Sequence, residues 1–185
     1  MRNARRIAVV AAFALAAACG GGDGTGPSDP TPTNVVVNSG NNQSATVGTA
    51  VAIAPAVQVR DKKGRGVPGV QVTFSVASGG GSITGAVDTT DASGIARVGG
   101  WTLGTATGAN TLSALVTGLA PAGFTATAVA GAPAALVFVT APGGTAQNGV
   151  AFTQQPVLQL RDQFGNNSPT AGVQVTIAIL TGGGT

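Results

Sequence analysis

The chain has 185 residues, of which 43% are hydrophobic, 8% charged and 4% aromatic, with 30 glycines and 10 prolines. It contains no His, no Tyr and no Glu, which removes most ordinary catalytic and metal-site designs. The charged fraction is about a third of the ~25% usual for a soluble domain, which argues against a charge-driven disordered chain. The lack of long apolar runs beyond the N-terminus argues against a multispan membrane protein.

In chain order, the first feature is a basic stretch (Arg2, Arg5, Arg6) followed by an apolar run over residues 7–18. Leu15-Ala16-Ala17-Ala18-Cys19 then supplies a small-residue cleavage site that ends at the sole cysteine. This pattern predicts a secretory signal peptide over residues 1–18, too short to span a bilayer as a stable helix. The formal charge of +3 is a consequence of that leader. Without it, Arg60, Lys62, Lys63, Arg65, Arg97 and Arg161 balance Asp23, Asp29, Asp61, Asp88, Asp91 and Asp162. No electrostatic footprint for nucleic acid or anionic lipid remains.

Small residues before a Cys, followed by Gly20-Gly21-Gly22-Asp23-Gly24, resemble the lipobox of bacterial lipoproteins. That resemblance implies lipidation of Cys19 and membrane attachment through its acyl chains, each adding ~0.8 kcal/mol per buried CH₂. The alternative is ordinary cleavage after Ala16-Ala17-Ala18 that leaves a free thiol. A single cysteine excludes an internal disulfide.

Residues 19–34 are Gly, Pro, Ser, Thr and Asp with almost nothing apolar, and read as a tether that is flexible at first and stiffer through Pro27, Pro30 and Pro32. From Val35 the pattern is all-β. Val70, Val72, Phe74 and Val76 alternate with Gln71, Thr73 and Ser75, as expected of a strand with one buried face. Ile53, Pro55, Val57 and Val59 repeat the alternation up to the turn Arg60-Asp61-Lys62-Lys63-Gly64. Residues 35–38, 94–102, 109–117 and 123–130 are further strand candidates, separated by Gly-rich turns. Short strands at this spacing predict a sandwich or barrel.

An internal repeat organises these elements. Pro55-Ala56-Val57-Gln58-Val59-Arg60-Asp61 returns as Pro156-Val157-Leu158-Gln159-Leu160-Arg161-Asp162, with Gly48 and Gly64 matched by Gly149 and Gly165. After a short insertion, Gly69-Val70-Gln71-Val72-Thr73 returns as Gly172-Val173-Gln174-Val175-Thr176, and Gly79-Gly80-Gly81 as Gly182-Gly183-Gly184. One unit is expected over residues 35–130 and a second, holding only its N-terminal half, over 133–185. A half sandwich exposes an apolar sheet face. The expectation is therefore a fragment of a longer product or, failing that, pairing with another chain.

The series Val57-Gln58-Val59-Arg60-Asp61, Gly64, Val67-Pro68-Gly69-Val70-Gln71-Val72-Thr73-Phe74-Ser75-Val76, Gly79-Gly80-Gly81-Ser82 resembles the bacterial immunoglobulin-like domains of the invasin and intimin type (group 1). Thr90-Asp91-Ala92-Ser93-Gly94-Ile95-Ala96, Trp101-Thr102-Leu103-Gly104 and Gly108-Ala109-Asn110-Thr111-Leu112 continue the same series. The resemblance implies tandem immunoglobulin-like β-sandwich repeats that act as a stalk presenting a binding tip, with no shared catalytic residues.

Residue by residue, Asp61 with Gly64 and Asp91 with Gly94 read as tight turns, the carboxylate capping backbone N–H groups and the glycine supplying positive φ. Trp101 reads as core between sheets, and the alternative is a stacking platform for sugar. Asp88 and Asp91 are the only carboxylate pair close enough to weigh as a glycosidase acid and base, and both are expected to flank a turn and face water. Calcium at Asp61, Asp88 and Asp91, or at Asp162 at an inter-domain junction, competes with plain turn capping, which the absence of dense Asp-x-Asp spacing favours. Serine lacks a His base, a nucleophile elbow and a Ser-x-x-Lys motif. The expectation is a non-catalytic, cofactor-free surface lipoprotein, lipid-anchored at the outer membrane or cell surface, with a possible protein or glycan partner and no nucleic acid. The rival readings are an envelope glycan- or protein-binding module and a spacer for an enzyme domain beyond residue 185.

Overall fold

The computed structural model describes residues 30–145, 147 and 149–178, so the leader and Cys19 lie outside the described residues. Strands β1 (Asn34–Ser39), β3 (Ala56–Arg60) and β7 (Ile95–Arg97) form one sheet in the order β1-β3-β7. Strands β2 (Gln43–Thr46), β4 (Gln71–Ser78), β6 (Val87–Thr89), β9 (Gly108–Leu115) and β10 (Ala122–Val129) form a second, in the order β2-β10-β9-β4-β6. All pairings are antiparallel except β2 with β10. A small ribbon of β5 (Ser82–Thr84) and β8 (Gly100–Thr102) closes one side. The product is an immunoglobulin-like β-sandwich.

Period-2 sequence makes its core. β10 alternates without a break, burying Ala122, Phe124, Ala126 and Ala128 and exposing the residues between. Val57 and Val59 from one sheet face Val72, Phe74, Leu112 and Ala114 from the other, and Trp101 from β8 fills the centre at 0% exposure. Side chains from facing sheets interdigitating in this way form the core expected of aligned sheet packing.

Two expected strands differ from the sequence reading. Over 53–59 only the part from Ala56 onward is strand, and Ile53 is 56% exposed. The reason is Gln43, whose amide accepts the Ile53 N–H at 2.8 Å and donates to the Ile53 carbonyl at 2.7 Å. A side chain thus occupies the backbone groups that a neighbouring strand would have paired. The 94–102 stretch is two strands in different sheets. The chain crosses over at Gly99-Gly100, where the Gly99 N–H bonds Thr84 O at 2.8 Å and a Cβ on Gly99 would sit 3.0 Å from that oxygen. Strands β2, β5 and β6 are short and were not evident from periodicity.

Beyond Val129 the repeat reappears as geometry. Strands β11 (Ala135–Thr140) and β12 (Val157–Arg161) pair with the register of β1 and β3, including the bulge, which falls between Phe138 and Thr140 in one and between Val37 and Ser39 in the other. The bridge between Arg60 and Gly66 recurs between Arg161 and Asn167. The counterparts of buried Val72 and Phe74, Val175 and Ile177, are exposed, as is Phe138 at 63%.

Candidate functional site

Three turns share one construction. In each, an aspartate Oδ1 accepts two backbone N–H groups: Lys63 and Arg65 on Asp61, both at 2.9 Å, Ser93 and Ile95 on Asp91 at 2.8 and 3.0 Å, and Phe164 and Asn166 on Asp162, both at 2.9 Å. Each turn closes from Gly64, Gly94 or Gly165 N–H to its aspartate carbonyl at 2.9–3.0 Å, with the glycine at φ +75 to +84. An L side chain rarely adopts that φ, which is why the fourth residue is glycine. The turn-capping role expected of Asp61 and Asp91 is therefore seen in atoms.

Asp88 flanks the Asp91 turn as expected, from β6, but it does more than face water: its carboxylate accepts the N–H groups of Thr89 at 2.9 Å and Arg97 at 2.8 Å. It thereby ties β6, at the edge of the five-stranded sheet, to β7 of the other. Asp88 and Asp91 thus hold backbone rather than facing each other across a cleft. Among the described residues there is no group of three or more His, Cys, Asp or Glu placed to hold a metal ion. Trp101, the sugar-stacking candidate, is wholly enclosed, and its Nε1 finds no hydrogen-bond partner among the described residues.

Two aspartates carry perturbed acidity. Burial of the Asp61 oxygens pushes its pKa upward, but hydrogen bonds from the Arg65 backbone and guanidinium and from Lys63 N–H outweigh this and hold it below 3.8. At Asp162, burial again opposes. The Asn166 amide and the N–H groups of Gly131, Asn166 and Phe164 win, and bring it to about 2. Favouring the anion through donated hydrogen bonds is the common cause.

The Asp162 turn lies where the two units meet, the junction at which the sequence places it, although the residues that surround it there were not singled out. Asp162 is 3% exposed, and its Oδ2 accepts the N–H of Gly131, in the connecting segment, at 3.0 Å. The Asn166 side chain donates to the Asp162 carboxylate and, at 2.8 Å, to Thr105 O of the first unit, while its Oδ1 accepts Thr107 N–H at 3.1 Å. Ser168 Oγ donates to Gly131 O at 2.8 Å. The Phe164 ring lies over Gly48, 3.1 Å from where a Cβ would stand. A signal existed in the sequence. At the repeat spacing, Gly131, Phe164, Asn166 and Ser168 align with Pro30, Lys63, Arg65 and Val67, four changes clustered around an unchanged aspartate.

No family model matches the chain, and no curated protein matches it either. Solved structures do. One is the D00-D0 domain of intimin, with 22% identity over 53% of this chain and 46% of that one, at a TM-score of 0.41. Another is FdeC, an Escherichia coli adhesin, with 19% identity over 75% of this chain and 42% of that one, at 0.46. A third is the Parabacteroides merdae β-glucuronidase, with 19% identity over 54% of this chain and 12% of that enzyme, at 0.37. The chain spans less than half the length of each.

Proposed function

We propose that this chain is an exported envelope protein, anchored by lipid on Cys19, whose immunoglobulin-like units serve as a stalk or adhesion scaffold of the invasin and intimin kind. Residues 1–18 are its removed leader, 19–34 its tether, 35–130 its first unit, and a second unit follows from 133. Its work is spatial, to project or adhere, with no bond-making step.

The observation that carries this reading is the return of one sheet register in two successive units that hydrogen bonds join. Repeats that contact mainly their neighbours build length, which is what a projecting stalk requires. The near-neutral charge without the leader suits contact with a protein or glycan better than contact with nucleic acid.

The test is the intact mass of the protein purified from its native membranes, followed by protease shaving of whole cells. A chain beginning at Cys19 with added acyl mass, and units released by shaving, are the expected results. A start elsewhere without lipid refutes the anchor, and units that resist shaving only until the cells are lysed refute surface display.

A further inference from the structure

The junction is built from residues that the first unit replaces at every corresponding position, although the turn itself is kept. We infer that the Asp162 turn is a docking element for the trailing end of a preceding immunoglobulin-like unit, and that the matching turn of the first unit carries a set unable to dock. This concerns how units couple, and it holds whether the array adheres or only spaces.

The trailing end of the first unit offers three things to its partner: the Thr105 carbonyl, the Thr107 N–H and a side-chain-free Gly48. Asn166 answers the first two with one amide, donating at 2.8 Å and accepting at 3.1 Å. A primary amide carries a donor and an acceptor side by side on one planar group, whereas arginine, with donors alone, cannot accept Thr107 N–H. Phe164 lies over Gly48, where any side chain would meet the ring. Gly131 donates its N–H to Asp162 and accepts the Ser168 hydroxyl at its carbonyl, which locks the connecting segment to the second unit.

The first unit's set fails on each count. Pro30 has no N–H to donate, Val67 no hydroxyl, and Lys63 no ring. Arg65 instead turns back on its own turn, its guanidinium meeting Asp61 Oδ2 at 2.7 and 2.8 Å. The aspartate is satisfied in both units, by a neighbouring cation in one and by the junction in the other. The first unit therefore opens the array, and the second follows a unit as part of one body.

The chemistry of the two sets also supplies the test. The double variant Phe164→Lys with Asn166→Arg installs on the second turn the residues that the first turn already accommodates. Gly131→Pro, outside the turn, is an independent variant that copies Pro30 of the first unit. In the exported chain, ¹⁵N relaxation should give one rotational correlation time for residues 34–129 and 135–161, and each variant should split it into two. Amide exchange at Thr107 should accelerate roughly tenfold in the double variant, the loss of about one hydrogen bond's protection. Independent tumbling of the unsubstituted units would overturn the proposal, as would coupled tumbling and unchanged Thr107 protection in both variants.

Discussion

Trp101 separates a structural role from a binding one by magnitude. It is completely enclosed between the sheets, and its indole N–H has no partner among the described residues. Trp101→Ala removes the largest buried side chain and leaves a cavity, at a cost of about 3–5 kcal/mol. That is a large part of the roughly 5–15 kcal/mol that holds a domain folded, and corresponds to a fall in Tm of roughly 12–40 °C. Trp101→Phe behaves differently. It loses about 40 Å³, worth about 1 kcal/mol of cavity at ~24 cal/mol per Å³, and a similar transfer contribution. It also removes a buried, unsatisfied donor, whose desolvation costs about 1–3 kcal/mol. The two effects nearly cancel, so the Phe variant should lie within about 1 kcal/mol of the parent. Urea unfolding followed by far-UV circular dichroism measures both, because the only tryptophan has been removed as a fluorescent probe. An Ala variant within about 0.5 kcal/mol of the parent would place Trp101 on the surface and refute the core assignment. A Phe variant as unstable as the Ala variant would refute the penalty assigned to the orphaned N–H.

Two further outcomes follow from the turns. Gly64 and Gly94 both have positive φ, but a Cβ on Gly64 meets nothing within 4 Å, whereas on Gly94 it would stand 2.7 Å from Val59 O. Gly64→Ala should cost about 1–2 kcal/mol from backbone conformation alone, and Gly94→Ala at least ~1 kcal/mol more because its turn bonds β3; equal losses in urea unfolding would contradict the packing argument. The pH profile follows from the aspartates. Their folded pKa values are depressed, so their stabilising contribution is present above about 3.8 and is lost as the pH falls toward about 2. With no His or Glu to titrate, Tm should be flat from about pH 5 to 8 and then drop with acid, and a transition near pH 6 would show a group outside this account.

Much of the local structure was legible in the residues because its causes are local. The alternation of Val72 and Phe74 with Gln71, Thr73 and Ser75 reads as one buried face whatever lies opposite, and β4 buries that face. Asp-x-x-Gly specifies its turn through a carboxylate and a positive φ within four residues, so Asp61, Asp91 and the repeated Asp162 were recognisable before any coordinate. The repeat spacing likewise carried over into register, bulge for bulge.

What only the tertiary structure decided depends on partners distant in the chain. Ile53 continues an apolar alternation, yet Gln43 takes its backbone groups and turns it out to solvent. The 94–102 run is uniform in character, but its halves join different sheets because Thr84 comes close at Gly99. Asp88 sits beside a turn in sequence and between two sheet edges in space. The junction is the furthest case, since Asn166 has no meaning as an amide until Thr105 and Thr107, about sixty residues earlier, are brought within reach of it. Local periodicity sets which face of a strand is apolar, whereas the identity of the neighbour that face or side chain meets is a property of the folded chain alone.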